Sequence, residues 1–350
     1  MSAPFPPPTM RSWQYSRTVG GLENNLSLNP AAPLPTPKPD QHLVQVIAAA
    51  LNPVDYKPAE IPGFLRFAMT KPATPGTDFA GTIVRPAPGS PFKAGQLVFG
   101  ASGTSPVAGG ALREFSVSKV GSAVPIPEGV EPIHAATVAV AGMTAYQSIV
   151  PHVKAGDKIF INGGSGGTGA FGIQMAKAVG CHVTTACSTA NVGFCRELGA
   201  DDVVDYKTEN VLEALLRKAK EHSFDHVVDN VGTDDQLALR CHEFLRSDGL
   251  MVIVGGEATL KAVKQTLRRT LLPGFLGGVK GKVVGFWPVP NVEDMQQIGE
   301  WMKEGKVKAV VDSQFAFEEL PKAFEKLRTG RARGKIVVDV ASATYKKGSE

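Results

Sequence analysis

The feature that most constrains this chain is the run Ile159-Phe160-Ile161-Asn162-Gly163-Gly164-Ser165-Gly166-Gly167-Thr168-Gly169, which leads into Ala170-Phe171-Gly172-Ile173-Gln174-Met175-Ala176. An apolar strand enters Gly164-x-Gly166-x-x-Gly169 and a helical segment leaves it. Glycines at this spacing let the turn close tightly, let backbone approach a pyrophosphate and let the helix pack on its strand. The helix N-terminus then presents unpaired N–H groups and the positive end of its dipole to the phosphates. With a strand before it and a helix after it, the pattern reads as a dinucleotide-binding loop, and Gly164, Gly166 and Gly169 are its defining positions.

The surroundings agree with that reading. Strands are expected at Lys158–Asn162, His182–Cys187, Asp202–Asp205, His226–Asp229, Leu250–Val254 and Lys282–Phe286. Helices are expected near Ala170–Val179, Val192–Leu198, Val211–Glu221 and Gln236–Leu245. This alternation predicts an α/β fold with a doubly wound parallel sheet, the Rossmann arrangement. Before about Ala135 the pattern differs: short runs such as Leu43-Val44-Gln45-Val46-Ile47 and Gly81-Thr82-Ile83-Val84 are broken by Pro and Gly. Many short strands in a small barrel or bent sheet follow from that spacing. After Pro290 come an amphipathic helix at Val292–Glu304, a run at Val307–Val311, a helix around Leu320–Leu327 and a last strand at Lys335–Val340. The tail is expected to return to the first domain, which gives boundaries of 1–130, 131–309 and 310–350.

An absence addresses which dinucleotide binds. Enzymes using NAD place Asp or Glu at the end of the second strand to hold the ribose 2′-hydroxyl. Here that strand ends Ala186-Cys187-Ser188-Thr189-Ala190-Asn191, and no acidic residue occurs from Lys158 through Arg196. Hydroxyl and amide side chains, with Arg196, Tyr206 and Lys207 nearby in the chain, suit a 2′-phosphate, so NADPH is the expected cofactor. The same loop also fits G-x-S-x-G as Gly163-Gly164-Ser165-Gly166-Gly167. An α/β-hydrolase using Ser165, with a later acid and histidine such as Asp229 and His242, is therefore an alternative. It leaves Gly169 and the acid-free strand end unexplained.

Composition narrows the function classes. Across 350 residues the net charge is only 37 − 33 = +4, and no basic stripe interleaved with aromatics calls for nucleic acid. The cysteines, Cys181, Cys187, Cys195 and Cys241, form no C-x-x-C pair, which argues against a disulfide framework and for a reducing compartment. The Pro-rich start lacks the order of a secretory signal, and no apolar run reaches the ~20 residues of a membrane span. A cytoplasmic location is the expectation.

Further motifs fall into one ordered set: Asn52-Pro53-Val54-Asp55-Tyr56-Lys57, Gly76-Thr77-Asp78-Phe79-Ala80-Gly81, Ala94-Gly95-Gln96-Leu97-Val98-Phe99-Gly100, Gly109-Gly110-Ala111-Leu112-Arg113-Glu114-Phe115, Gly142-Met143-Thr144-Ala145-Tyr146 and Gly334-Lys335-Ile336-Val337-Val338. With the glycine loop, the set resembles the zinc-independent medium-chain dehydrogenase/reductases over roughly residues 10 to 340. Within them it is similar to the quinone-oxidoreductase-like branch, which includes chloroplast-envelope quinone oxidoreductase homologues and fungal trans-acting enoyl reductases. The resemblance implies a GroES-like β-rich substrate domain built from both chain ends, a central Rossmann domain and an active site in the cleft between them. It also implies dimerisation through the edge of the Rossmann sheet.

Zinc-dependent relatives place a cysteine where this chain has Asn52 and a histidine where it has Thr77. Asp55 and Asp78 alone do not complete a ligand set, and His42 and His134 read as ordinary polar residues, so no metal is expected. Without a Lewis acid the chemistry left is hydride transfer from NADPH to a carbon already electrophilic, in an enone, an enoyl group or a quinone. None of Tyr15, Tyr56, Tyr146, Tyr206 or Tyr345 is followed four residues on by lysine, which disfavours the Tyr-x-x-x-Lys mechanism of short-chain dehydrogenases.

Matched motif by motif, the resemblance puts Asn52 and Thr144 beside the nicotinamide and its ribose. It puts Gly166, Gly167 and Thr168 on the pyrophosphate, and Ser188, Asn191 and Tyr206 around the 2′-phosphate. Asn230 and Gly255 end later strands at the cofactor edge, and Lys335 reaches back from the tail. Each has a competing structural reading: glycines as turns, Tyr206 as packing, Lys335 as a solvated charge. Tyr56 and Lys57 are the expected catalytic pair, to polarise or protonate the enolate; in the alternative both are structural and water supplies the proton. Residues 257–282 carry Lys261, Lys264, Arg268, Arg269, Lys280 and Lys282 among leucines and valines. They read as a lid helix with a solvated basic face, or as a docking face for an acyl carrier protein or an anionic membrane surface. A second class of function stays open: a protein that binds NADPH without catalysis.

Overall fold

The computed structural model describes residues 6–60, 71–102, 110–256, 269 and 278–341. The chain divides into two compact units, one of Met1–Met143, Val289–Gly305 and Ala309–Glu350, the other of Thr144–Pro288 and Lys306–Lys308.

In the first unit the strand Gln41–Leu51 is the hub, pairing antiparallel with Asp78–Arg85, Phe115–Lys119 and Lys335–Asp339. The described sheet runs Val311–Ala316, Lys335–Asp339, Gln41–Leu51, Asp78–Arg85, Leu97–Ala101 and Ala123–Pro125. The C-terminal segment thus adds two strands, parallel to each other. It also inserts Phe317, Leu320 and Phe324 into the core that holds Trp13, Leu22, Val46 and Phe79. The Trp13 indole donates to the Phe317 carbonyl at 2.7 Å, so its one polar atom is satisfied inside that core. Each large apolar side chain buried there contributes roughly 1.5–3 kcal/mol, which ties the two chain ends into one unit.

The second unit holds, among the described residues, a six-stranded sheet in the order Asp202–Asp205, His182–Cys187, Lys158–Asn162, Phe224–Asp229, Leu245–Ile253, Lys282–Gly285. Every pairing is parallel. Numbered along the chain from Lys158 the order is 3-2-1-4-5-6, the doubly wound arrangement, with its switch point between Lys158–Asn162 and Phe224–Asp229. Ile159, Phe160 and Ile161 are wholly buried, as befits a strand covered on both faces. The helix Gly167–Val179 after the glycine loop is fastened by Gln174, whose amide donates to the Lys308 carbonyl at 3.0 Å and accepts from the Lys308 N–H at 2.8 Å.

One expectation is corrected. The helix expected at Gln236–Leu245 ends at Leu239, a 3₁₀ turn covers Cys241–Glu243, and a strand begins at Leu245. Leu245 pairs with Phe224 and the strand is bulged before Leu250, so sheet pairing overrides a pattern that is amphipathic at helical spacing. The run at Val307–Val311 contributes only its last residue to a strand, Val311–Ala316. Its polar Asp312 accepts from the Arg333 N–H at 2.8 Å and pairs with Lys326 at 3.3 Å, which holds a turn-like sequence extended. Of the basic stretch 257–282, Lys261, Lys264 and Arg268 lie outside the described residues, and Arg269 is paired with Asp235 at 2.6 Å.

Candidate active site

In the second unit the strand Lys158–Asn162 delivers the chain into the glycine loop, and each glycine has a steric reason. A Cβ on Gly164 would lie 2.0 Å from Thr185 Oγ1, a hydroxyl that is itself bonded to the Ile161 carbonyl at 2.7 Å. A Cβ on Gly169 would lie 2.2 Å from the Gly163 carbonyl oxygen. A Cβ on Gly166 meets only that same oxygen, at 3.6 Å. The first and third glycines therefore close the turn and seat the helix, while the second keeps a space open. Gly166 caps the helix without a side-chain bond, so the first-turn backbone, with Gly167 and Thr168, faces that space with its N–H groups and the helix dipole.

The end of the neighbouring strand His182–Cys187 lies alongside. The Asn191 amide donates to Ser165 Oγ at 3.0 Å, which links the turn after this strand to the glycine loop. Ser188 is half-buried at the head of the turn Thr189–Asn191. The Tyr206 N–H donates to the Cys187 carbonyl at 3.1 Å, and Lys207 Nζ lies 5.5 Å from the centre of the Tyr206 ring. Tyr206 is 51% exposed, so it is a surface group at this strand end and not core packing. Ser188, Asn191 and Tyr206 thus share one end of the sheet.

At the switch point, Asn162 and Asp229 face each other in register, with Asn162 Nδ2 on Asp229 Oδ1 at 2.8 Å. The same carboxylate oxygen accepts from the N–H groups of Val231 and Gly232, each at 3.0 Å. Asn230 donates to the Asn162 carbonyl at 3.1 Å, and its own Oδ1 is buried with no partner among the described residues. Gly255 follows the next strand, its N–H on the Asp229 carbonyl at 3.2 Å. Thr144 is buried in the helix Met143–Ile149. Among the described residues no hydrogen bond joins the serine, acid and histidine that the hydrolase alternative requires. Ser165 is bonded to Asn191, Asp229 is engaged by its own loop, and His242 is exposed in the separate turn Cys241–Glu243.

In the first unit the chain builds a buried polar cluster. Asn52 caps the turn Pro53–Asp55, its N–H donating to Asp55 Oδ2 at 2.7 Å. Thr77 donates to Asp55 Oδ1 at 2.8 Å, and Asn52 Nδ2 donates to Asp78 Oδ2 at 2.8 Å. Lys335 comes in from the last strand, with Nζ bonded to Asn52 Oδ1, to the Leu51 carbonyl at 2.9 Å and to Asp78 Oδ2 at 3.5 Å. Lys335 is 3% exposed, so it is not a solvated charge. Burial pushes the Asp55 carboxyl up to about 7, reinforced by the Asp78 charge and opposed by the Thr77 hydroxyl, the Asn52 N–H and Lys335. Burial also pushes Asp78 up to about 6, against the pull of Lys335 and Asn52.

A pH signature follows. Between about 4, the ordinary carboxylate value, and about 7, the unfolded chain releases the Asp55 proton that the folded chain retains. Stability is therefore lost as pH rises through that window, and the loss is complete above it. Asp55→Asn can keep both hydrogen bonds, with Thr77 Oγ1 turned to accept. Its melting temperature is expected to fall less than the wild type's between pH 4.5 and 7.5, and to exceed it at pH 8. Parallel Tm–pH curves for the two proteins would refute the assignment.

Tyr56 and Lys57 follow the same turn. The Tyr56 ring lies under the Arg328 guanidinium, 4.4 Å from its centre. Arg328 is in turn paired with Glu23 at 2.6 Å and with Glu60. Burial raises the Tyr56 pKa, with Arg328 opposing and Glu60 and Glu23 adding to it, so the phenol keeps its proton at neutral pH. Lys57 is half-buried at the first position of the short helix Lys57–Glu60. Sequence reading considered Asp55, Thr77 and Asp78 only as failed metal ligands and did not see the cluster they form. His42, by contrast, is structural: its Nδ1 accepts from the Ala87 N–H at 2.9 Å.

A 3-2-1-4-5-6 parallel sheet with an uncapped glycine loop at its first strand, in one chain with a β-rich unit closed by the C-terminus, is the arrangement of a dinucleotide-binding protein. The chain belongs to the medium-chain dehydrogenase/reductase superfamily, on its quinone-oxidoreductase-like side. Residues 38–128 match the alcohol dehydrogenase GroES-like domain family, and residues 198–338 match the zinc-binding dehydrogenase family. The trans-enoyl reductase pgmF of Aspergillus terreus is 47% identical over 349 residues, covering 95% of this chain and 97% of that one. The chloroplast envelope quinone oxidoreductase homolog of Arabidopsis thaliana is 31% identical over 343 residues, covering 94% and 98%. The solved quinone oxidoreductase from Coxiella burnetii matches with a TM-score of 0.81 at 27% identity, over 95% of this chain and 99% of that one.

The second family's description implies zinc, and the residues here do not suit it. Zinc takes thiolate, imidazole or carboxylate ligands, whereas Asn52 and Thr77 supply an amide and a hydroxyl already engaged in hydrogen bonds, with an ammonium among them. Among the described residues no group of three or more His, Cys, Asp or Glu side chains is arranged to hold a metal ion. No helix among them is long and apolar enough to cross a membrane.

Proposed function

We propose that this protein is an NADPH-dependent, zinc-independent reductase of α,β-unsaturated carbonyls, enoyl groups or quinones. The observation that carries this reading is the uncapped glycine loop lying against an acid-free strand end. Gly166, Gly167 and Thr168 would hold the pyrophosphate, Ser188, Asn191 and Tyr206 the 2′-phosphate, Asn52 and Thr144 the nicotinamide and its ribose, and Asn230 and Gly255 the cofactor edge. When bound, NADPH supplies a hydride for the electrophilic carbon of the substrate. Residues 131–309 form the cofactor-handling part, while 1–130 and 310–350 form the substrate-handling part. Tyr56, kept protonated, or Lys57 orients the carbonyl and stabilises the charge that develops on its oxygen. The names of the relatives, a trans-enoyl reductase and quinone oxidoreductases, support this substrate class.

The test is nicotinamide oxidation with a panel of enones, enals, enoyl thioesters and quinones, run with NADPH and with NADH. Turnover is expected with NADPH and at most weakly with NADH. Tyr56→Phe and Lys57→Met are then compared on the best acceptor, and at least one is expected to lower kcat by about tenfold or more. If both stay within about threefold of wild type, the carbonyl-orienting role falls. Tight NADPH binding without turnover anywhere in the panel would favour a non-catalytic NADPH-binding protein.

A further inference from the structure

Lys335 brings its ammonium into a site with almost no access to water, where burial pulls its pKa down and the Asp78 and Asp55 carboxylates push it back up, and all of its hydrogen-bonding capacity is spent there. An ammonium has three N–H donors and no acceptor. Here they go to the Leu51 carbonyl, to Asn52 Oδ1 and to Asp78 Oδ2. That arrangement also decides how the Asn52 amide lies. Its oxygen faces the ammonium and its Nδ2 faces the Asp78 carboxylate at 2.8 Å, whereas a flipped amide would oppose donor to donor and acceptor to acceptor. Asp55 holds the backbone of the same residue from the other side, together with Thr77. The cation of this cluster comes from a strand 283 residues away in sequence.

We propose that the Lys335 ammonium is the resident cation of this pocket: it neutralises the buried Asp78 carboxylate and locks the Asn52 amide, and so acts as a positioning residue that leaves no N–H for the cofactor. The role given to Asn52 rests on the reductase reading above; the charge role of Lys335 does not.

A double-mutant cycle tests it. Lys335→Met leaves Asp78 buried and uncompensated, and the melting temperature is expected to fall by about 10 °C or more. Lys335→Met/Asp78→Asn removes both charges and is expected to regain more than half of that loss. If the double variant is as unstable as the single one, Lys335 does not neutralise Asp78. In the stable double variant kcat is expected to drop at least tenfold, because the Asn52 amide has lost its hold, while KM for NADPH changes less than threefold. The opposite split, a tenfold rise in KM with kcat kept, would make Lys335 a direct cofactor ligand and overturn the proposal. Should the wild-type protein neither bind NADPH nor turn over any acceptor, the reductase reading fails, and the unfolding cycle still decides the cation role.

Discussion

Gly169→Ala is expected to abolish NADPH binding and to lower the melting temperature, whereas Gly166→Ala should keep the fold and lose the cofactor. The two positions differ by three residues and by what surrounds them. The Gly169 Cβ would sit 2.2 Å from the Gly163 carbonyl oxygen and 2.7 Å from Gly164 Cα. Both are backbone atoms, so no flexible side chain can yield and the helix must move off its strand. Overpacking of this kind costs about 1–3 kcal/mol or more, on the order of 5–10 °C in a domain of this size. Gly166 has φ −77°, which any residue adopts, and the new methyl would make one ordinary contact at 3.6 Å. Its melting temperature should stay within about 3 °C of wild type. The methyl enters the space into which the loop amides point, and NADPH affinity should fall about tenfold or more, that is by about 1.4 kcal/mol or more. Thermal unfolding and an NADPH titration on the same samples read both effects. Wild-type affinity in Gly166→Ala would mean that this loop does not carry the pyrophosphate.

Much of the second unit was legible because local and global signals coincide there. Lys158–Asn162, His182–Cys187 and Asp202–Asp205 are strands with the boundaries read from sequence. Each has β-branched residues in its interior and is closed by a glycine loop, a 3₁₀ turn or an Asx-type turn. The glycine loop was legible for the same reason, since its spacing encodes steric demands met within a few residues. Legibility failed where partners are distant. Asp312, Ser313 and Gln314 carry no apolar strand signal, and Asp312 is held by the Arg333 N–H and by Lys326. The cluster of Asn52, Asp55, Thr77, Asp78 and Lys335 joins three segments, and its closing bond spans 283 residues. Periodicity and motif spacing do not report contacts at that separation. One signal was available: Asp78 opens the largely apolar run Phe79-Ala80-Gly81-Thr82-Ile83-Val84, and a buried carboxylate requires a cation or donors from somewhere else in the chain.

On the proposed reading, NADPH is preferred because this strand end lacks an acidic residue, and supplying one should reverse the preference. Ser188 heads the turn after His182–Cys187, at the sheet end that also carries Asn191 and Tyr206, the latter with Lys207 over its ring. In Ser188→Asp the new carboxylate would face the 2′-phosphate of NADPH. Two like charges about 4 Å apart in a partly screened site oppose each other by about 4 kcal/mol. That corresponds to a loss of about a thousandfold in kcat/KM with NADPH, since each 1.4 kcal/mol is tenfold. With NADH the same carboxylate gains the ribose 2′-hydroxyl as a donor, and kcat/KM is expected to rise by about tenfold. Lys207→Ala provides the complementary control: it should weaken NADPH alone, and the loss should shrink as salt rises, because an exposed cation acts through a screened field. A Ser188→Asp protein that loses NADPH without gaining NADH would show repulsion but no ribose contact, placing the 2′-position farther from Ser188 than from Tyr206 and Lys207. A wild-type protein that already prefers NADH would sink the assignment of this strand end, while the glycine loop, tested by Gly166→Ala, would stand or fall independently.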